Sequence, residues 1–277
     1  MTLFCSAFYK FVEIADPAQL RPSLLAACSA RQIKGSILLA HEGINGTISG
    51  EASSLGAFFA WLRQDPRFAG LETKESPSKE HPFNRLKVRL KREMVTLGVP
   101  GANPDRAVGI YVEPEDWNAL IGSPDVILVD TRNAYEFKIG TFKGALNPKT
   151  RSFRQFPDFV RENLDPERHP RVATFCTGGI RCEKATSYLV QQGFREVYHL
   201  RGGILKYLET VPEKESLWEG ECFVFDERVS LGHGVQPGRY GMCRTCGAPV
   251  ALPDGVQQMS AGIACPDCAA VHTANPS

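Results

Sequence analysis

Val172-Ala-Thr-Phe-Cys176-Thr-Gly-Gly-Ile-Arg181-Cys182-Glu-Lys-Ala185 is the stretch on which the reading of this 277-residue chain turns. Its first residues predict a short buried strand ending at Cys176. Beyond Arg181, the residues Cys182, Ala185, Tyr188 and Leu189 fall on one face of a helix that Gly193 closes. Gly178 and Gly179 lie between strand and helix. Two glycines let successive backbone N–H groups curl toward one point and form an anion nest. The helix N-terminus adds a partial positive charge and Arg181 a full one. A cysteine opening such a loop should have a depressed pKa and be a thiolate near neutral pH. The carboxyl end of a strand is also where sites form in α/β sheets. Cys176 is therefore the expected reactive group, with Arg181 and the loop backbone of Thr177, Gly178, Gly179 and Ile180 around it. The competing reading makes Cys176 a small core residue; strand, Cys, Gly-Gly, Arg and helix in register argue against it. Cys182 is expected to be secondary, either resolving an oxidised or persulfidated Cys176 or simply packing the helix.

Working outward, residues from Val108 to about Glu219 alternate strand and helix. Val126–Asp130 and Val172–Cys176 are short apolar runs, and helical segments lie near Pro114–Ile121, Phe153–Glu162 and Arg181–Gln192. This pattern predicts an α/β layer with a parallel sheet. Upstream, residues 1–97 read as an α+β unit. A strand near Leu3–Val12 leads into a helix near Pro17–Arg31, with Asp16 as N-cap. Ile33–Ala40 is a strand, Glu42–Gly46 a turn, and Thr47–Ser49 the start of the return strand. A helix near Ser53–Gln64 and a strand from Leu86 to Thr96 follow, giving the ferredoxin-like order β-α-β-β-α-β. Gly98–Arg106 reads as a linker, so the catalytic domain is placed at 98–219. Residues 220–277 are too few and too polar to build a core alone and need a staple. Cys243-Arg-Thr-Cys246 and Cys265-Pro-Asp-Cys268 supply one in the pattern of a zinc ribbon. His233 and His272 are possible substitute ligands.

Composition narrows the classes. Hydrophobic residues make up 43% and charged residues 23%, ordinary for a globular protein. The formal net charge of +1 gives no global attraction to nucleic acid or membrane, so any such attraction must come from local patches. No apolar run approaches the roughly 20 residues of a membrane span. Lys10, Glu13 and Asp16 interrupt the first segment, so no signal peptide is expected. Nine cysteines, four in Cys-x-x-Cys pairs and two flanking the glycine loop, suit metal binding and thiol chemistry in a reducing compartment. The expected location is cytoplasmic, with no organic cofactor and no obligate protein partner evident.

The loop Cys-Thr-Gly-Gly-Ile-Arg resembles the active-site loop of rhodanese domains. Val129-Asp130-Thr-Arg132-Asn-Ala-Tyr-Glu136 through Asn147-Pro148 resembles the upstream rhodanese signature, and Val197-Tyr-His-Leu-Arg201-Gly202-Gly203-Ile204 the closing one. Asp130, Arg132 and Glu136 are expected to brace sheet and loop through ion pairs. Four residues separate Cys176 from Arg181. Cysteine-based phosphatases of related fold use five, which leaves a phosphatase as a lesser alternative. The combination of this loop with Ile37-Leu-Leu-Ala-His41-Glu42-Gly43-Ile44-Asn45-Gly46-Thr47 and Asn147-Pro148-Lys-Thr-Arg151-Ser-Phe153-Arg154-Gln-Phe156-Pro157 resembles the tRNA uridine(34) hydroxylase family over nearly the whole chain. The resemblance implies oxygen-dependent conversion of the wobble uridine to 5-hydroxyuridine, with molecular oxygen as co-substrate and the tRNA anticodon loop as partner. A sulfurtransferase carrying a persulfide on Cys176, or a non-catalytic RNA-binding module, are the alternatives.

An RNA surface has separate support in the sequence. Arg85, Lys87, Arg89 and Lys91 project to one face of a strand by period two, and Phe83 extends that face. Lys149, Arg151 and Arg154 crowd around Phe153, the expected stacking platform. The bland alternative is a charged strand edge that resists aggregation.

Overall fold

Period-two alternation builds the first layer. The computed structural model of the chain describes residues 3–253 and 263–269. In it, β1 (Leu3–Phe11), β2 (Lys34–Ala40), β3 (Gly43–Glu51), β4 (Thr73–Ser78) and β5 (Leu86–Leu90) form one sheet in the order β4-β1-β3-β2-β5. Helices α1 (Pro17–Ser29) and α2 (Ala52–Leu62) supply part of its core, where Phe8, Ile37, Ile48 and Phe58 are buried. The Asp16 carboxylate accepts from the Ala18 and Gln19 N–H groups and starts α1 just ahead of Pro17.

Two readings of this half need correction. The fourth strand of the ferredoxin-like order is Thr73–Ser78, not Leu86–Thr96. Its sequence, TKESPS, has no apolar alternation to reveal it. Leu86–Leu90 is instead a fifth, edge strand, parallel to β2. The turn placed at Glu42–Gly46 is confined to His41 and Glu42, because Ala40 already pairs with Gly43. The glycines here give room rather than reversal. A Cβ on Gly43 would stand 2.1 Å from the Lys10 carbonyl oxygen, and one on Gly46 would stand 2.8 Å from the Phe8 ring.

The second layer is a parallel sheet. Its strands are β6 (Ile110–Val112), β7 (Val126–Asp130), β9 (Arg171–Phe175) and β10 (Glu196–Leu200), in the order β6-β10-β9-β7. Helices α3 (Pro114–Ile121), α4 (Ala134–Phe137), α5 (Phe156–Asn163), α6 (Ile180–Gln191) and α7 (Gly203–Thr210) connect and flank them. The predicted helix at Phe153 begins as a 3₁₀ turn over Phe153–Gln155. The short strand β8 (Gly140–Phe142) pairs with β11 (Trp218–Gly220). Phe142 meets Phe175, Tyr207 and Trp218 edge-on, with ring centroids 4.7–5.1 Å apart. The described residues just beyond 219, as far as Val235, do not stand apart from this domain. Cys222, Val224, Leu231 and Val235 pack into the same core. No helix among the described residues is long and apolar enough to cross a membrane.

One buried ion pair cluster joins the layers. The Lys184 ammonium on α6 lies 2.7 Å from both Glu42 Oε2 and Glu93 Oε2. Glu42 also accepts the Met94 N–H, and Glu93 the Leu97 N–H. A lysine whose side chain is 3% exposed needs such partners, since an unpaired buried charge is strongly destabilising.

Candidate active site

The floor of the site is the predicted loop. β9 delivers Cys176, and Gly179, at φ +97°, turns the chain into α6. The Gly179 N–H donates to Cys176 Sγ at 3.1 Å. Burial alone would raise the thiol's pKa. Hydrogen bonding from the Cys182 thiol, the Arg181 charge and the N–H groups of Cys182 and Arg181 outweigh burial and bring it down to about 5. Cys182 is itself pushed well up, by burial and by the Cys176 charge, so one proton stays on the pair. Gly178 and Ile180 line the cavity above Cys176, and Thr177 Oγ1 donates to the Phe223 carbonyl at 3.4 Å. The closing Gly202-Gly203 pair fits against the loop. A Cβ on Gly203, at φ +68°, would stand 2.5 Å from the Cys176 carbonyl oxygen, to which the Ile204 N–H donates at 2.9 Å.

Arg181 does not face the thiolate as a free cation. Its two terminal nitrogens fork onto Glu136 at 2.6 and 2.8 Å. Burial alone would raise the Glu136 carboxyl; the Arg181 guanidinium holds it below its ordinary range. Arg132, fully buried, forks onto Asp130 in the same way, at 2.9 and 2.6 Å, and donates to the Gly140 carbonyl. The structure thus places Asp130, Arg132 and Glu136 behind the loop, away from the cavity.

The roof comes from the first layer. The cavity over Cys176 holds about 430 Å³ and is covered by one face of the five-stranded sheet. Ala7, Ser36, Thr47 and Lys74 contribute from four strands, in register with one another. Sequence reasoning missed this roof. Its signal was confined to β2 and β3, where Ser36, Asn45 and Thr47 alternate with the core residues Ile37, Ile44 and Ile48, and Lys74 sits in the strand that was not seen. Tyr9 descends from β1 to Glu183, one residue beyond Cys182. Its hydroxyl donates to Glu183 Oε1 at 3.0 Å, and Tyr111 donates to the other oxygen at 2.7 Å. The rim is formed by Phe83 and by the stretch from Val224 to Arg228. Phe225, 61% exposed, lies beneath the Arg181 guanidinium at 5.8 Å.

The predicted RNA residues divide. Ser36 pairs with Lys87 and Leu38 with Arg89, so both basic side chains extend the roof face outward along the sheet edge. Arg85 and Arg89 are exposed and Lys87 half-buried. Lys149, Arg151 and Arg154 are exposed. Phe153 is not an open platform, however. It is buried against Phe156, with ring centroids 5.8 Å apart. An aromatic ring in a stretch with Arg151 and Arg154 was misread as displayed, whereas its apolar area is taken up by the core.

The four C-terminal cysteines converge. The Sγ atoms of Cys243, Cys246, Cys265 and Cys268 all lie within 4.8 Å of one another, with Cys246 and Cys265 3.7 Å apart. A tetrahedral zinc–thiolate site requires sulfur separations of about 3.8 Å. The Cys265 and Cys268 N–H groups donate to Cys243 and Cys265 sulfurs, as they would to thiolate ligands. His233 is not in this cluster, and His272 lies outside the described residues.

A parallel sheet that ends in an anion nest around a buried thiolate defines a rhodanese-type catalytic domain, here roofed by an acylphosphatase-like sheet. Family models match both halves: "UPF0176 acylphosphatase like domain" over residues 4–94 and "Rhodanese-like domain" over residues 113–210. A protein of Picosynechococcus sp. named tRNA uridine(34) hydroxylase is 57% identical over 94% of this chain and 88% of that one. One of the same name from Albidiferax ferrireducens is 56% identical over 98% of this chain and 87% of that one. The chain belongs to the tRNA uridine(34) hydroxylase family. Among solved structures, the rhodanese-like domain of an Anabaena sp. protein is 19% identical over 40% of this chain and 78% of that one, at a TM-score of 0.33.

Proposed function

We propose that the protein hydroxylates C5 of the wobble uridine of tRNA, with molecular oxygen as co-substrate and Cys176 as the reactive group. The observation that carries this reading is the roofed cavity over a depressed-pKa thiolate, in a chain of this family. Uracil C5 is a poor partner for oxygen while the ring stays conjugated. Addition of the thiolate at C6 breaks that conjugation and leaves an enolate, electron-rich at C5. One atom of O2 then bonds to C5 and the other leaves as water, with two electrons from an external reductant and, net, two protons. Loss of the C5 proton expels the Cys176 thiolate from C6 and restores the C5=C6 bond. The target base is turned out of the anticodon loop to reach Cys176. A tRNA substrate fits a cytoplasmic location.

The test is mass spectrometry of tRNA nucleosides from a strain whose own wobble-uridine hydroxylation has been removed. Expression of this protein should restore 5-hydroxyuridine derivatives. Restored thiolated nucleosides, without hydroxylated ones, would instead establish a sulfurtransferase.

The tRNA is held by phosphate contacts from the basic edge at Arg85, Lys87 and Arg89, and from Lys149, Arg151 and Arg154. The edge continues the cavity roof, which supports this placement. Replacing Arg85, Lys87 and Arg89 together by alanine should weaken tRNA binding. Its log–log salt slope should become shallower by about 1 for every phosphate no longer neutralised. Unchanged affinity across a salt series would leave them as a solvated strand edge.

The cysteine cluster is a structural zinc site, which would supply the staple this segment needs rather than take part in the reaction. Metal analysis should find about one zinc per chain. Cys243→Ser and Cys265→Ser should each remove it, and purified protein free of metal would refute the site.

A further inference from the structure

Three cations line the cavity over Cys176: Lys74, Arg181 and Arg228. Two are already committed. Arg181 forks onto Glu136, and Arg228 forks onto Asp226 at 2.9 and 2.7 Å. Among the described residues, the Lys74 ammonium makes no hydrogen bond or ion pair with a carboxylate or carbonyl. It lies over the face of the Tyr9 ring, 5.0 Å from the centroid, and the carboxylates of Glu72 and Glu183 act on it only through their charge. It sits half-buried in β4, between that ring and Gly202, where a Cβ would meet the lysine Cε at 3.4 Å. Tyr9 in turn touches the nest, since a Cβ on Gly179 would stand 2.9 Å from its hydroxyl. Burial lowers the amine's pKa from the usual lysine value, against the charges of Glu72, Cys176 and Glu183, which raise it. A partly desolvated ammonium without an oxygen acceptor gains from one supplied by a ligand.

We propose that Lys74 is a further catalytic residue, whose ammonium holds the oxyanion that forms at O4 of the wobble uracil when the Cys176 thiolate adds to C6. The proposal rests on the thiolate-addition reading above. In this step the S–C6 bond forms and the C5=C6 π bond breaks. The electron pair moves through C5 to the carbonyl at C4, so that O4 becomes an enolate oxygen. No proton moves and nothing is oxidised or reduced. The charge that leaves sulfur arrives at O4, and the proposed pose turns the 4-carbonyl edge of the ring toward Lys74, the uncommitted cation of the cavity. The contact also reads the base. A uracil presents an acceptor at position 4, which an ammonium donates to, whereas cytosine presents an amino group there, which it opposes.

The step can be followed without oxygen, because addition at C6 makes C5 basic. C5 then takes a proton from solvent, loses its original hydrogen, and the thiolate leaves. An anticodon stem-loop RNA carrying deuterium at C5 of the wobble uridine is incubated anaerobically with the full-length protein, and deuterium loss is read by mass spectrometry. Wild-type protein should wash out the label. Lys74→Met should slow washout about 100-fold, the size of effect seen when one oxyanion donor is removed. RNA affinity should fall far less than the washout rate, and Lys74→Arg should recover part of the rate. Washout by Lys74→Met at the wild-type rate overturns the proposal, and so does a loss confined to affinity, which would make Lys74 an RNA-holding residue. Absence of washout in wild-type protein with RNA bound refutes thiolate addition itself, and Lys74's role with it.

Discussion

Replacing Cys176 by serine should abolish wobble hydroxylation, with a fall on the order of 10,000-fold or more in turnover. The nest, Arg181 and the Cys182 thiol bring a sulfur that ordinarily ionises near 9 down to about 5. A serine hydroxyl starts too high for the same surroundings to ionise it near neutral pH. The substitution removes one polarisable atom from a buried position and leaves the loop's backbone bonds in place, so folding should survive. The sign of the pH dependence follows from the lowered value. Above pH 5 the thiolate is the resting form, and alkylation of Cys176 by iodoacetamide should be independent of pH. Below pH 5 the rate should fall with the thiolate fraction. Peptide mass spectrometry separates this cysteine from the other eight. An inflection near 9 would remove the physical basis for Cys176 as the reactive group, and a Cys176→Ser protein that still hydroxylates tRNA would remove it from the chemistry.

Glu136→Ala should destabilise the fold by about 3–5 kcal/mol, read as a shift in the urea midpoint at unchanged slope. Glu136 is fully buried and Arg181 nearly so, and their two-pronged contact is what permits both charges there. Removal of the carboxylate strands a guanidinium beside the thiolate loop. The dependence on pH again has a definite sign. The folded-state carboxyl lies below its ordinary 4.5, so its contribution is complete above that value. It is lost as the pH falls through the folded-state value, and the gap between wild type and variant should narrow there. A loss below about 1 kcal/mol at neutral pH, the worth of an exposed pair, would show that the pair is not buried in solution.

The catalytic floor was legible because its chemistry is local. Strand, Cys176, glycines, Arg181 and helix follow one another, and short-range physics fixes how they sit. Asp130, Arg132 and Glu136 could be named as braces, but their pairing could not, since Glu136 meets Arg181 from 45 residues away. The cysteine cluster was readable by spacing alone. What was not legible is the roof. β4 escaped because Thr73–Ser78 is held by antiparallel pairing with β1, not by any apolar pattern of its own. Lys74 went with it. Tyr9 was visible only as a strand residue, and no residue near it in the chain says that it reaches Glu183 beside the catalytic loop. Phe153 fails the opposite way, since charged neighbours in sequence gave no measure of its burial.

The layered cavity has a consequence for how the protein comes into being. A ribosome releases the roof first, with Ala7, Ser36, Thr47 and Lys74, then the thiol at Cys176, and last the rim through Arg228. N-terminal domains generally fold first during synthesis, so the ceiling exists before there is anything beneath it. Lys184 emerges shortly after Cys176 and finds Glu42 and Glu93 already waiting. The thiol itself is covered only when the second layer closes on a core that runs out to Val235, and at that moment its ceiling is already in place.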